Sequence, residues 1–193
     1  MERNTIVVGL LMLVVGLGVG YASSGNTTSV AGNHMMADGS MMGQNIDQHF
    51  IVQMIPHHEG AIAMAKIALE RSKRPEMLSL AKGIIEAQEK EITDMRGWYQ
   101  SWYGSTPLQG GMGMHMSGMT GEPDVLKSVP DAEFDREFIT EMIPHHEMAV
   151  MMGQMLQAST GRSEMKQLAD NIITSQSREI EMMRGWLKVW YGQ

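Results

Sequence analysis

MIPHHE, residues 54–59, returns unchanged as residues 142–147. Extending the match outward aligns residues 47–104 with residues 135–192 at a constant offset of 88, without gaps. Of the 58 aligned positions, 28 are identical. They include Met64/Met152, Gln88/Gln176, Glu91/Glu179 and the closing Trp102-Tyr103-Gly104, which matches Trp190-Tyr191-Gly192. Self-similarity at a fixed offset marks repeated supersecondary units, and a duplication is its simplest account.

Each unit reads as a helical hairpin. Met54, His57, His58, Ala61, Met64 and Ala68 recur at three- and four-residue spacing, as do Leu80, Ile84, Gln88, Glu91, Met95, Trp98 and Trp102. Lys73-Arg74-Pro75 marks the first turn, with Pro75 suited to the first helical position. Thr160-Gly161-Arg162-Ser163 marks the second, where Gly161 suits a C-cap and Ser163 an N-cap. Two such hairpins predict an all-α four-helix bundle. Residues 46–104 form the first hairpin and 131–193 the second. The link, residues 105–130, is longer than a tight bundle needs. A crossover along the bundle and a functional loop both fit that length. Pro56 and Pro144 remove the donors for the carbonyls of Val52 and Thr140. Each proline marks a kink within a long helix or a helix start, and candidate caps at Asn45 and Asp131 favour the kink.

Composition narrows the function. The chain has 193 residues and a net charge of −7. Nucleic-acid binding needs clustered Lys and Arg, so that class is disfavoured. There is no cysteine, which excludes disulfides, thiolate zinc sites and c-type haem attachment. Residues 6–20 form an apolar run behind Arg3, and Gly20-Tyr21-Ala22 fits a small-x-small cleavage pattern. We read residues 1–22 as an export signal, with an uncleaved membrane anchor as the alternative; either places the remainder outside the cytoplasm, in the periplasm. Residues 23–45 are rich in Gly, Ser, Thr, Asn and Met and read as a flexible arm.

Methionine is the compositional outlier, at 22 residues. Met at helical spacing is ordinarily core filler. That explanation does not reach Met112, Met114, His115, Met116 and Met119, which alternate on a glycine-rich background, or His34, Met35 and Met36 in the arm. The third long helix adds Met148, Met151, Met152 and Met155, where the first copy has Gly60, Ala63, Met64 and Ile67. Thioether sulfur is neutral and soft, so it favours Cu(I) or Ag(I) over Zn²⁺, Mg²⁺ or Ca²⁺. The MIPHHE histidines carry two readings. A structural layer would pair His57, His58, His145 and His146 with Gln88, Glu91, Gln176 and Glu179. A metal site would join imidazole to the thioethers of Met54, Met95, Met142 and Met183. Adjacent helical residues point about 100° apart, so the two histidines of a pair face different neighbours.

These residues resemble a known family. MIPHHE followed by Gln-x-x-Glu-Ile-x-x-Met-x-x-Trp is similar to the CopM-like bacterial periplasmic family, formerly a domain of unknown function and described as ferritin-like. The resemblance covers both units. It implies a four-helix bundle, export, and copper binding for resistance or homeostasis, without assigning ligands. A di-iron site is opposed by the absence of Glu-x-x-His. No catalytic motif of a hydrolase is present, so we expect no enzyme. The expectation is an exported protein that sequesters Cu(I), and Ag(I), through Met and His and passes it to an efflux partner. The alternative is an interaction module whose Met-rich surfaces dock a partner.

Overall fold

Proline and glycine set the limits of the hairpins. A computed structural model of the chain describes residues 38–107 and 123–193. Helix α1 spans Asp38–Arg71 and α2 spans Pro75–Tyr103. A short α3 covers Pro123–Ser128, α4 spans Phe134–Ser159, and α5 spans Ser163–Trp186. A π-helical stretch, Leu187–Tyr191, extends α5. Pro75 opens α2 and holds Arg74 extended, at φ −82° and ψ 125°. Gly104 closes α2 at φ 66°, and Gly192 closes the second hairpin at φ 72°. Left-handed backbone of this kind costs little only for glycine. Among the described residues, no helix is long and apolar enough to cross a membrane.

Three local expectations change. First, α1 starts at Asp38, within the stretch read as an arm, so Asn45 lies inside the helix rather than at its start. Second, α4 starts at Phe134 after Glu133, so Asp131 is not its cap. Both helices run through their prolines, which decides for a proline inside a long helix. Third, Gly161 lacks a positive φ, Thr160 ends α4, and Arg162, not Ser163, takes the N-cap position of α5. The reason lies in what Arg162 does with its side chain.

Arg162 pairs with Asp47 at 3.2 Å and lies over the Trp102 ring at 4.0 Å from its centroid. Arg74 repeats this with Asp135, at 3.2 Å, and Trp190, at 4.3 Å. Each hairpin turn therefore grips the first helix and the closing tryptophan of the other hairpin. All six residues are identical between the copies at the offset of 88. These tertiary contacts outweigh the gain from a polar cap side chain, about 1 kcal/mol.

These contacts set the topology. The end of α1 meets the start of α4: Arg71 donates to the carbonyls of Leu126 and Val129 and to Asp131. The end of α2 meets the start of α1, where Gln48 donates to the Tyr99 hydroxyl at 2.9 Å. Helices α1 and α4 are thus antiparallel, and the end of α2 and the start of α4 lie at opposite ends of the bundle. Of the two topologies the link length allows, the crossover is the one formed, as in ferritin-like bundles.

The core divides into two apolar clusters. One joins the second half of α1 and first half of α2 to the first half of α4 and the end of α5, with Met64, Met77, Phe134, Phe138, Met142 and Met183. The other joins the opposite halves, with Phe50, Ile51, Met54, Met95, Leu156 and Met165. Between them lies a buried polar layer of His57, His58, Gln88, His145, His146 and Gln176.

The two Arg grips differ in burial. The Asp47 side chain is 1% exposed and Asp135 is 15% exposed. Burial pushes the Asp47 carboxyl up, against the opposing pull of a hydrogen bond from Thr160 and of Arg162. Removing the partner of a buried charge is costlier than removing a surface one. We expect R162A to lose about 3 kcal/mol of stability and R74A about 1 kcal/mol. Urea unfolding at pH 7 checks this; equal losses would contradict the burial difference.

Candidate metal centre

The polar layer sits where the two hairpins meet. On a helix, neighbouring residues point about 100° apart. Each MIPHHE therefore sends one histidine toward its own hairpin partner and the other toward the opposite hairpin. His58 lies 2.7 Å from Glu91 of α2, through Nε2 and Oε2. His146 repeats this with Glu179 of α5, also at 2.7 Å. A carboxylate accepts, so each Nε2–H donates, and in the neutral ring Nδ1 keeps the lone pair. His57 and His145 instead face each other, with ring centroids 3.7 Å apart and planes tilted by 38°. The rings within each pair are 6.2 Å apart.

Several of these buried polar atoms have no partner at full hydrogen-bonding geometry, the His57 and His145 rings having only a weak backbone contact with each other's residue. They are both ring nitrogens of His57 and of His145, Nδ1 of His58 and of His146, and Oε1 of Gln88 and of Gln176. Leaving such a group unsatisfied costs about 1–3 kcal/mol, so a concentration of them at one level suits a partner from outside the chain, ordered water or a bound ion. Burial pushes the His57 ring down to about 3, with the neighbouring His58 and His146 adding to the effect. His145 falls to about 2 by burial first and then by His57. Both rings are therefore neutral across the physiological range. A neutral imidazole offers a lone pair without first losing a proton.

The donor set around the layer is soft. Met54 and Met95 are fully buried in one flanking cluster, Met142 and Met183 in the other. Among the described residues, no three His, Asp or Glu side chains gather into a metal-ligating group. A hard ion that needs several carboxylates finds no nest here. An ion satisfied by two imidazoles and thioethers has its donors in adjacent layers.

The remaining candidates separate. Met148 and Met152 are half-buried on α4, while Met151 and Met155 are exposed. Gln88 and Gln176 are buried in the layer, and Glu91 and Glu179 hold the outer histidines. Glu59 and Glu147 lie toward the surface, paired with Arg96 and Arg184. Met112, Met114, His115, Met116, Met119, His34, Met35 and Met36 lie outside the described residues. Two features went unnoticed in the sequence: the Arg–Asp–Trp grips and the His57–His145 contact. Identity at the offset of 88 was the available signal for the first. None existed for the second, because helical spacing does not say which neighbour a face meets.

The family described as "Domain of unknown function (DUF305)" matches residues 47–192. The chain belongs to the DUF305 family. CopM in its Cu(II)-bound form is 48% identical, with a TM-score of 0.70, over 75% of this chain and 97% of that one. CopM in its Cu(I)-bound form is 46% identical, with a TM-score of 0.68, over the same shares. A DUF305 fragment from Deinococcus radiodurans is 31% identical, with a TM-score of 0.64, over 74% of this chain and 95% of that one. An uncharacterized protein of Acanthamoeba polyphaga mimivirus, L153, is 43% identical over 49 residues, which are 25% of this chain and 32% of that protein.

The inner histidines make the metal-free DUF305 bundle acid-sensitive. In the unfolded chain both rings titrate near 6.5; folded, they titrate near 3 and 2. Below pH 6.5 the unfolded state binds more protons, so stability falls as pH drops toward 3. The slope approaches about 2.7 kcal/mol per pH unit for two such groups. Urea midpoints at pH 7, 5 and 4 should decline, and the H57L/H145L variant should decline less. An identical decline in both proteins would contradict the assignment.

Proposed function

We propose that this chain is an exported, non-enzymatic copper-binding protein that sequesters Cu(I), and Ag(I), through Met and His. The observation that carries this reading is the buried His57–His145 contact. It sets four ring nitrogens without a full hydrogen-bond partner between two clusters that contain fully buried thioethers. Burial keeps these rings neutral, and thioethers carry no proton, so neither donor must be deprotonated to bind. Neutral soft donors suit a monovalent soft ion, whose single charge is the least that a buried site must take in. CopM, 48% identical to this chain, is known in Cu(II)-, Cu(I)- and Ag-bound forms, which supports the same class of ion here.

In this reading His57, His145, Met54, Met95, Met142 and Met183 form the retaining site. Glu91 and Glu179 orient His58 and His146 so that Nδ1 remains available. A carboxylate behind an imidazole fixes its tautomer and raises its basicity as a ligand. Met112, Met114, His115, Met116 and Met119, with His34, Met35 and Met36, capture the ion and deliver it. Thioether ligands carry no charge, so each one holds the ion weakly. That suits release to an efflux partner in the periplasm.

Competition between the purified chain and a chromogenic Cu(I) chelator tests this. The wild-type protein should withdraw Cu(I) from the chelator, and failure to compete at any ratio overturns the proposal. The H57L/H145L variant should bind at least about tenfold more weakly, about 1.4 kcal/mol. Its melting temperature at pH 7 should hold or rise, because leucine removes orphaned polar atoms from the core. Ala replacement of the linker donors from Met112 to Met119 should lower copper stoichiometry and leave the helical content unchanged.

A further inference from the structure

The near-symmetry of the two hairpins isolates a second group of soft donors, on the outer side of the α1–α4 seam. The touching pair His57 and His145 marks that seam. From it, two rows run toward the same end of the bundle, because α1 and α4 are antiparallel. On α1 the row is His57, Gln53, His49, at four-residue steps. On α4 it is His145, Met148, Met152, Met155, at steps of three, four and three. Eight residues before His57 and eight after His145 fall at one level, which places His49 opposite Gly153 and beside Met152 and Met155.

Burial sorts these rows. Met152 packs against the cluster that holds Phe50, Ile51 and Met54 of α1, so this strip borders α1. Met148 and Met152 are half-buried, whereas Met155 is 57% exposed and the neighbouring Met151 is 48% exposed. His49 is exposed, and its Nε2 lies 2.6 Å from the amide nitrogen of Gln53. An amide N–H donates, so Nε2 of this ring accepts, and a bound ion would take the place of Gln53 on that lone pair.

The other half of the seam is the control that the fold supplies. At the symmetry-related positions it carries Glu137 in place of His49. In place of Met148, Met151, Met152 and Met155 it carries Gly60, Ala63, Met64 and Ile67. Met64 there is fully buried. Packing explains Met64 and does not explain two methionines about half exposed to solvent, on a helix whose first copy packs without them. Soft donors have accumulated on one half of a duplicated seam, on both of its helices.

We propose that Met148, Met152, Met155 and His49 form a surface site for a soft monovalent ion, Cu(I) or Ag(I), distinct from the buried histidine layer. It rests on the soft-metal reading given above. Three thioethers on successive turns and one imidazole across the seam make a neutral, open set of donors. Such a set binds from solvent without unfolding any part of the core.

Silver nitrate titration of the full chain, with its methionine methyl groups labelled with ¹³C, tests the site. Native mass spectrometry counts ions in parallel. The Met148, Met152 and Met155 methyl signals should shift together. The M148L/M152L/M155L variant should bind one Ag(I) fewer with an unchanged melting temperature, since Met-to-Leu exchange conserves volume. H49Q should weaken this one site about tenfold while the three methyl signals still respond. Unmoved methyl signals in the wild-type chain, or an H49Q titration that matches wild type, would overturn the site. If H57L/H145L loses silver and the triple Met variant does not, the surface site fails and the buried reading stands. If the wild-type chain binds no silver, both fail.

Discussion

Two imidazole rings in contact at the centre of an apolar bundle are the constraint on which the rest of this structure depends. His57 and His145 bring both ring nitrogens into the core without a full hydrogen-bond partner, and burial holds both rings neutral. An apolar pair of similar volume would pack there without an orphaned atom. The polar layer has its place through its geometry: it divides the core into two clusters and sets one hairpin against the other at a single register. The orphaned nitrogens are a standing cost in the metal-free protein, and any ligand that satisfies them binds the folded state alone and stabilises it by linkage.

The ends of the bundle solve a different problem. Duplicated hairpins can pack in several ways, and apolar faces alone discriminate weakly among them. Here Arg74 and Arg162 each reach across to an Asp and a Trp of the other hairpin. A planar guanidinium can pair with a carboxylate and lie over an indole at once, which lysine does poorly. Together with Arg71, which fastens α3 and the start of α4 to the end of α1, these contacts favour the crossed arrangement. They also place residues from two hairpins on one seam, and the antiparallel register brings His49 to the level of Gly153 on α4.

Near-symmetry is informative where the two copies part company. The buried layer repeats almost perfectly: His58–Glu91 and His146–Glu179 share the same atoms and the same 2.7 Å. The outer face of the seam does not repeat, with methionine at positions where the first copy has Gly60, Ala63 and Ile67. A core position is held by the volume around it, and the polar layer with its flanking Met54/Met142 and Met95/Met183 is kept in both copies. A surface position is free to change, so a consistent change there carries chemical information that packing does not impose.

Much of this was legible in the residues. The offset of 88, the helical spacing and the turn residues determined an all-α bundle of two hairpins, and the absence of cysteine beside 22 methionines excluded thiolate and left thioether as the sulfur donor on offer. The pairing of His58 with Glu91 was foreshadowed by register within one hairpin, because a short turn ties the two helices to a common count. Tertiary structure alone decided that His57 meets His145, that α1 and α4 run antiparallel, that Arg162 rather than Ser163 occupies the cap of α5, and that Met155 faces solvent while Met64 is buried. The reason is the same each time. Spacing along a helix says which residues share a face, and only the packing of one helix against another says what that face meets.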